Sequence, residues 1–339
     1  MTDAGPAKRT LAPSDAQVRT AWSPGLPVLD EVLSELTTAS LDVLGGRLYD
    51  VGAQDGLLAD LARNRRIRYR LRYPRDFDGP AAIVLISPGG LGGEDTHTWY
   101  PHLGTAYARL GFLAVSLGHL PSVSEMQHRY NLPLDASFVI DALARTAASA
   151  RGTPWDAEEA LSLPPEFQGE PDVDHIGVLG HSFGAYTAHA LAGAELGPAM
   201  GIHNFRDPRV DAIVVIAPQG RDRYGFFDKG PDNNSWRNVT VPSYVLLGEH
   251  DLPDWRRRPF DRYPAIGDKF LTIGKDQNHA EISGSSAPIE VRHLLARNTA
   301  LFFHTYLRGG DGRCKIGTLA WIDGWTLDRK LDEDRLPCP

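Results

Sequence analysis

The sequence predicts an α/β fold in which a mostly parallel central sheet is covered by helices on both faces. Short, continuous apolar runs recur along the chain, as expected for strands that are buried on both sides. Segments with helical periodicity separate these runs, and alternation of strands with helices is typical of parallel sheets. No linker-like stretch interrupts residues 45–310, so we expect them to form one domain.

The elements are predicted in chain order from these patterns. Residues 1–25 are polar and contain several prolines, which indicates a flexible leader. Residues 26–44 place apolar side chains at positions 29, 32, 33 and 36, the spacing of an amphipathic helix. Strands are predicted at 66–73, 81–86, 111–116, 176–179, 210–216, 241–247 and 270–273. Helices are predicted at 100–110, 136–150, 183–194 and 289–307. A loop-rich insertion is expected at about 118–175, and a tail at 311–339.

Composition excludes several classes of protein. The 339 residues include 35 Lys and Arg against 43 Asp and Glu, a net charge of −8, which disfavours nucleic acid as a partner. Hydrophobic content of 42% excludes wholesale disorder. We see no signal peptide and no apolar stretch of membrane-spanning length, so the expected location is cytoplasmic. A secreted form that has lost its signal would have the same features. Cys314 and Cys338 either pair or are separate thiols.

A candidate nucleophile lies between a predicted strand and a predicted helix. The sequence Gly180-His181-Ser182-Phe183-Gly184 matches G-x-S-x-G, in which a sharp turn exposes the serine hydroxyl. The motif is weakly specific by itself, and the alternative is a glycine-rich turn with an incidental serine. Its position between strand and helix favours a nucleophile.

An acid and a base follow in the order expected for this motif. Asp251 comes directly after the strand at 241–247, with Glu249 and Asp254 as competitors. His279 follows the strand at 270–273, where a histidine can reach the serine across the sheet edge and act as the general base. For the remaining candidates, His250 and His293, packing or surface roles are expected.

A second glycine-rich segment, residues 87–93, follows the strand at 81–86. Its backbone can approach a substrate closely, and we expect the N–H of Leu91, or otherwise of Gly90, to stabilise an oxyanion together with the N–H of Phe183. A glycine-rich loop also occurs in phosphate-binding sites. Neither nucleotide-binding glycine motif is present, so nucleotides are disfavoured.

With these residues in place, the chain resembles the α/β-hydrolases, and more narrowly the esterases similar to platelet-activating-factor acetylhydrolase and dienelactone hydrolase. The resemblance spans about residues 47–310 and is carried by GHSFGA at 180–185, the strand pair within 60–74 and the helix that begins at Asp135. Two departures stand out. The family has His where Gly89 precedes Gly90 here, and dienelactone hydrolases themselves use Cys in place of Ser182.

The resemblance implies a serine carboxylic-ester hydrolase that uses no metal and no cofactor. The net charge favours a small or medium, neutral ester as the small-molecule partner. Acyl transfer to another acceptor, perhydrolysis and peptide cleavage are alternatives that use the same residues. A non-catalytic ligand-binding protein is disfavoured because all three triad members occur in order. The oligomeric state is left open.

Aromatic and loop residues are candidates for the substrate pocket. They come from the loops that follow the predicted strands, and the alternative for each is ordinary packing. The candidates are Gly90, Trp99, His119, Phe226, Phe227 and Trp255.

Overall fold

The computed structural model describes residues 47–93, 95–152, 160–196, 204–221, 227, 234–318, 321–333 and 338. The predicted leader and the helix at 26–44 lie outside these residues. Within them, nine strands form one sheet in the order β1-β2-β4-β3-β5-β6-β7-β8-β9. The predicted α/β class with a mostly parallel sheet is confirmed.

Six parallel strands form the centre of the sheet. They are β3 (Pro80–Ser87), β4 (Leu113–Gly118), β5 (Glu170–His181), β6 (Val210–Ile216), β7 (Ser243–Gly248) and β8 (Lys269–Gly274). Each overlaps an apolar run that predicted a strand. Apart from the polar, partly exposed start of β5, most of their side chains are buried on both faces, which explains why these segments are continuously apolar rather than alternating.

Antiparallel strands flank this centre on both sides. β1 (Val51–Asp60) pairs with β2 (Arg65–Pro74), and β2 pairs with β4. The sequence patterns did not indicate β1, because its apolar residues do not alternate. Gly52 and Gly56 occur where the rings of Tyr73 and Tyr69 cover the strand, and a Cβ at either glycine would lie within 2.2 Å of those rings. The irregular pattern of β1 therefore results from packing across the strand pair.

Helices cover both faces of the sheet. They are α1 (Pro101–Arg109), α2 (Glu125–Ala150), α3 (Phe183–Leu191), α4 (Pro253–Arg256), α5 (Arg258–Arg262) and α6 (Ile289–Leu307). Short 3-10 turns occur at Thr96–Thr98, Glu281–Ser283 and Arg313–Lys315. α2 and α3 pack in one hydrophobic core, and α1 and α6 pack in the core on the opposite face. Among the helices described here, none is both long and apolar enough to cross a membrane.

The segment expected to be a loop-rich insertion differs from the prediction. α2 has 26 residues and begins at Glu125, whereas the predicted helix begins at residue 136. The side chain of Ser124 caps its first turn by accepting a hydrogen bond from the Gln127 N–H at 3.1 Å. The helix contains Pro133, although proline is usually unfavourable inside a helix because it removes a backbone hydrogen bond.

The tail completes the sheet at its far edge. β9 (Thr326–Lys330) pairs antiparallel with β8, which polar residues in this segment did not indicate. Cys314 and Cys338 form a disulfide, with a Cα–Cα distance of 5.3 Å. Of the two alternatives that the sequence left open, pairing is therefore the one observed.

Candidate active site

The candidate residues meet at the carboxyl edge of the parallel strands. The strand order reverses between β3 and β5, because the chain passes from β3 outward to β4 and then returns to the other side of β3. In open α/β sheets, ligands bind outside the carboxyl ends of the strands at such a point. The last paired residues of β3 and β5 are Ser87 and Gly180, so the two glycine-rich segments leave the sheet side by side.

Ser182 occupies a strained turn between β5 and α3. Its backbone has φ 55° and ψ −118°, a conformation that L-residues rarely adopt. A Cβ at Gly180 would lie 2.0 Å from the Gly184 carbonyl oxygen, and a Cβ at Gly184 would lie 1.9 Å from the Ser87 carbonyl oxygen. Both glycines are thus required by close backbone approach. The turn leaves Ser182 partly exposed at the amino terminus of α3.

Strained backbone is concentrated at this edge of the sheet. Of the seven non-glycine residues with positive φ in the described part of the chain, five follow the parallel strands or their connecting loops. These five are Tyr100, Ser182, Ala217, Leu252 and Asp276. Such conformations persist where the surrounding structure over-determines them, and they cluster at functional sites.

Asp251 and His279 are brought into direct contact. His279 Nδ1 lies 2.6 Å from Asp251 Oδ2, and the two residues come from the loops after β7 and β8. Two lone pairs at this distance would repel, so a proton lies between the atoms, and Nδ1 donates to the carboxylate. His279 Nε2 is then the nitrogen that accepts a proton. Asp251 is buried and the His279 side chain is about one-fifth exposed, which suits a base open to solvent on one side.

Arg256, on α4, holds the carboxylate from the other side. Its Nε lies 2.8 Å from Asp251 Oδ2, and its Nη1 donates to the carbonyl oxygens of Ala217 and Pro218. Its Nη2 also lies 3.1 Å from His279 Nδ1. No motif in the sequence marks Arg256, which is the last residue of the short helix α4.

His181, the residue before Ser182, links the nucleophile turn to the loop of His279. Its Nε2 lies 2.9 Å from the His279 carbonyl oxygen, and its Nδ1 lies 2.8 Å from the Tyr100 hydroxyl. The carbonyl can only accept, so Nε2 carries the proton and the tyrosine hydroxyl donates to Nδ1. Complete burial lowers the pKa of His181 well below its usual value, and the neighbouring His279 adds to this effect. His181 is therefore a neutral bridge in the described structure.

The glycine-rich segment of residues 87–93, here named the glycine loop, passes directly over Ser182. A Cβ at Gly89 would lie 3.0 Å from the Ser182 Cβ. Gly90 has φ +78°, and the side chain of Leu91 is 38% exposed. The loop thus brings its backbone close to the candidate nucleophile, as expected of a segment that contributes N–H groups to a site. The N–H of Phe183 begins α3, where the first N–H groups lack partners within the helix.

The residues predicted to line a pocket occupy different environments. Trp99 lies beside Gly90, where a glycine Cβ would be 3.8 Å from its ring. Trp255 is partly buried and donates from Nε1 to the Arg221 carbonyl at 2.7 Å. Phe227 is completely buried in the core against Tyr186 and Trp236, which are packing contacts. His119 is also buried, beneath the glycine loop. Phe226 lies outside the described residues.

The competing acids and His250 are exposed, whereas His293 is half-buried. Glu249 is exposed and accepts a hydrogen bond from the Asp276 N–H at 3.0 Å, while Asp254 is exposed and His293 lies within α6. Possible metal-ligand atoms of Glu249, His250 and Asp276 lie within 4.8 Å of one another. All three residues are exposed, and exposed acidic groups often lie together without a metal ion, so we assign no metal to them.

Neither protein-family models nor curated proteins match this chain. The chemistry of the site is therefore inferred from its geometry. The arrangement can activate a hydroxyl chemically. It combines a partly exposed serine in a strained turn, an imidazole oriented by a buried carboxylate, and backbone N–H groups near the serine.

Proposed function

We propose that this protein is a serine carboxylic-ester hydrolase that acts through an acyl-enzyme. The observation that carries the proposal is the Asp251–His279 contact of 2.6 Å at the same sheet edge as Ser182 in its strained turn. The chain order of serine, acid and histidine, each after a later strand, is that of enzymes with a nucleophile elbow. The sheet order and the resemblance of the sequence to the α/β-hydrolases support the same function.

In the first half of the proposed reaction, Ser182 Oγ attacks the carbonyl carbon of the ester. His279 Nε2 takes the hydroxyl proton, and Asp251 stabilises the imidazolium that forms. The bond between the carbonyl carbon and the alkoxy oxygen then breaks, and the departing alcohol takes the proton from His279. The acyl group remains on Ser182.

The developing negative charge needs donors that are already oriented. The N–H of Phe183 at the start of α3 and the N–H of Leu91 in the glycine loop are the proposed pair. Donors of this kind stabilise the transition state by about 3–4 kcal/mol each, because they need no reorganisation when charge develops. Water then attacks the acyl carbon with His279 as base, which releases the carboxylic acid and restores Ser182.

The net negative charge of the chain favours an uncharged substrate. The chain carries a net charge of −8, which gives no attraction for polyanions. A neutral ester of small or medium size is the proposed substrate. Burial lowers the pKa of His181 well below its usual value, so this histidine adds no positive charge beside the proposed base His279.

Replacing the proposed nucleophile, Ser182, is expected to remove almost all esterase activity. In Ser182→Ala, kcat/KM for p-nitrophenyl esters of rising acyl length is expected to fall by at least about 10³-fold, because no alkoxide can form. An exposed serine at the far end of α2, Ser149, supplies the matched control Ser149→Ala, which is expected to retain activity. Mass spectrometry after fluorophosphonate treatment is expected to place the adduct on Ser182. Full esterase activity in Ser182→Ala contradicts the proposal.

The same assay separates hydrolysis from transfer. Added alcohol, amine or hydrogen peroxide competes with water for the acyl-enzyme, and product analysis by mass spectrometry measures the partition. Hydrolysis is expected to dominate at modest acceptor concentration. A product distribution dominated by the acceptor would instead assign the protein as an acyltransferase or perhydrolase.

A further inference from the structure

The glycine loop is held from below by side chains that the proposed reaction does not use. Ser87 Oγ, at the start of the loop, lies 3.0 Å from His119 Nε2, and His119 Nδ1 lies 3.3 Å from Asp135 Oδ2. The far end of the loop is also tied to His119, because the Gly93 N–H donates to the His119 carbonyl oxygen at 2.9 Å. Both ends of the loop are therefore anchored on one residue.

This chain of contacts has the composition of a second Ser-His-Asp triad but not its properties. Ser87, His119 and Asp135 are at most 1% exposed, so no substrate can reach them. Asp135 also pairs with Arg65 through two hydrogen bonds of 2.8 and 2.6 Å, and with Arg63 at 2.9 Å. The arrangement is an anchor for the glycine loop.

The middle of the loop is held by a different histidine. His128, on α2, places Nε2 3.2 Å from the Gly90 carbonyl oxygen, and its ring is almost completely buried beside the ring of Phe183. A carbonyl oxygen only accepts, so Nε2 carries the proton. Burial lowers the pKa of His128 to about 4, with His119 adding to this effect, so the imidazole is neutral at ordinary pH.

The geometry of the peptide bond transmits this contact to the next residue. The peptide unit is planar and trans, so the Gly90 C=O and the Leu91 N–H point in opposite directions. A donor that fixes the carbonyl therefore fixes the N–H as well. Gly90 has φ +78°, and glycine restricts its own backbone less than any other residue does, so a side-chain contact to its carbonyl can help to hold this peptide plane.

We propose that His128 is a positioning residue that orients the Leu91 N–H through its hydrogen bond to the Gly90 carbonyl. The inference rests on the proposed function, in which that N–H stabilises the oxyanion. His128 itself does not touch the substrate in this role. It acts on the transition state through the loop, while the anchor at His119 keeps the loop ends in place.

The test compares two substitutions at this position. In His128→Leu the donor is lost, whereas in His128→Gln the amide nitrogen replaces the imidazole Nε2. For ester hydrolysis, kcat of His128→Leu is expected to fall about tenfold or more, whereas KM should stay within about twofold of the wild-type value. A misdirected N–H stabilises the transition state less well, but it leaves the binding of the substrate largely unchanged. His128→Gln is expected to recover most of kcat.

A second readout reports on the oxyanion directly. An aryl trifluoromethyl ketone forms a tetrahedral adduct with an active-site serine, and its affinity is expected to fall in His128→Leu by about the same factor as kcat. The matched control is His189→Leu, which removes an equally buried imidazole that contacts Tyr263. Urea unfolding of all three variants measures the cost of losing a buried imidazole.

The outcomes separate the two proposals. Unchanged kcat and unchanged ketone affinity in a folded His128→Leu overturn the role of His128 alone, as does a loss that His128→Gln fails to recover or that His189→Leu reproduces. Wild-type protein that neither hydrolyses esters nor is acylated at Ser182 overturns the proposed function and this inference together.

Discussion

Arg256 makes contacts with four groups around the candidate base, although nothing in its local sequence distinguishes it. Its guanidinium is buried and lies within hydrogen-bonding distance of the Asp251 carboxylate and of the Ala217 and Pro218 carbonyl oxygens. Its Nη2 lies 3.1 Å from His279 Nδ1. A planar group with five donors can satisfy several acceptors at fixed angles, which the point charge of lysine cannot do. Asp251 therefore depends on Arg256 for its charge balance and its orientation.

Replacing Arg256 is expected to destabilise the protein. Arg256→Met leaves a buried carboxylate without its cation, so the free energy of unfolding should fall by about 3–5 kcal/mol. Arg256→Lys should recover only part of this loss. Urea denaturation followed by circular dichroism measures both. The neighbouring Arg257, which is partly exposed and pairs with Asp261, supplies the control Arg257→Met, for which a loss below about 1 kcal/mol is expected. Equal losses in both variants would contradict the structural role of Arg256.

Asp135 provides a pH-dependent contribution to stability. Burial opposes its ionisation, but hydrogen bonds from His119 and Arg65 outweigh burial and lower its pKa from 3.8 to about 2. A carboxyl group whose pKa is lowered by folding contributes stability that is fully present above pH 4. This contribution, on the order of 2 kcal/mol, is lost as the pH falls toward 2.

Asp135→Asn is expected to be less stable than the wild type at pH 6, and the difference should narrow as the pH falls from 4 toward 2. Urea midpoints at pH 6, 4 and 3 give the comparison. Asp141→Asn on the same helix removes an exposed carboxylate that pairs with Arg209, and only a small loss is expected. A difference between wild type and Asp135→Asn that stays constant with pH would contradict this linkage.

At the scale of elements, the junction of β5 and α3 depends on the absence of side chains. The chain turns so sharply at Ser182 that the backbone of Gly184 touches the Ser87 carbonyl at the end of β3. The strand pair β3–β5 and the helix α3 thus meet at one point, and the glycine loop begins there. Any added atom displaces either the nucleophile turn or the start of that loop.

Gly184→Ala is expected to lower the free energy of unfolding by about 3 kcal/mol or more, since its Cβ would lie 1.9 Å from a backbone oxygen. The control Gly79→Ala places its Cβ 3.6 Å from the nearest atom, an ordinary contact, and should change stability by less than about 1 kcal/mol. Thermal unfolding compares the two variants. A Gly184→Ala protein as stable as Gly79→Ala would show that the turn can relax.

An element could be predicted from the sequence when the pattern that defines it lies within the element itself. The buried parts of the parallel strands were predicted within a few residues, because being covered on both faces requires continuous apolar sequence. β5 begins six residues before its predicted start, where its sequence is polar and partly exposed. The strands β1 and β9 and the first part of α2 were missed. β1 depends on tyrosine rings from β2 for its pattern, α2 contains Pro133, and β9 is a polar edge strand stabilised by pairing with β8.

At the scale of the whole molecule, the C-terminal segment closes one edge of the sheet. β9 pairs with β8. Next to them, Arg313 Nε lies 2.7 Å from Oδ2 of the buried Asp268, the residue directly before β8. The disulfide joins Cys314 to Cys338 across 24 positions of sequence. Disulfides are most common in oxidising compartments, which runs counter to the cytoplasmic location that the sequence predicted. That location remains a prediction.

Removal of the disulfide is expected to destabilise the protein by roughly 3 kcal/mol, because a closed loop of this length restricts the unfolded chain. Urea unfolding of Cys314→Ser/Cys338→Ser measures the loss, with dithiothreitol-treated wild type as the matched comparison. Thiol titration of the native protein is expected to find both cysteines oxidised. Two titratable thiols in protein kept under non-reducing conditions would contradict the pairing.

The sequence by itself determined the alternation of strands and helices, the turn at Ser182 and the chain order of Asp251 and His279. The alternation and the turn depend on short local patterns, and the order of the residues can be read directly along the chain. Only the tertiary structure placed Arg256, His181 and His128 around the site. Each has partners far away in the sequence: Arg256 contacts Ala217 39 positions earlier, His128 contacts Gly90 38 positions earlier, and His181 contacts the His279 carbonyl 98 positions later. Such contacts are decided by the strand order and register that bring distant loops to one edge of the sheet, and no local pattern encodes them.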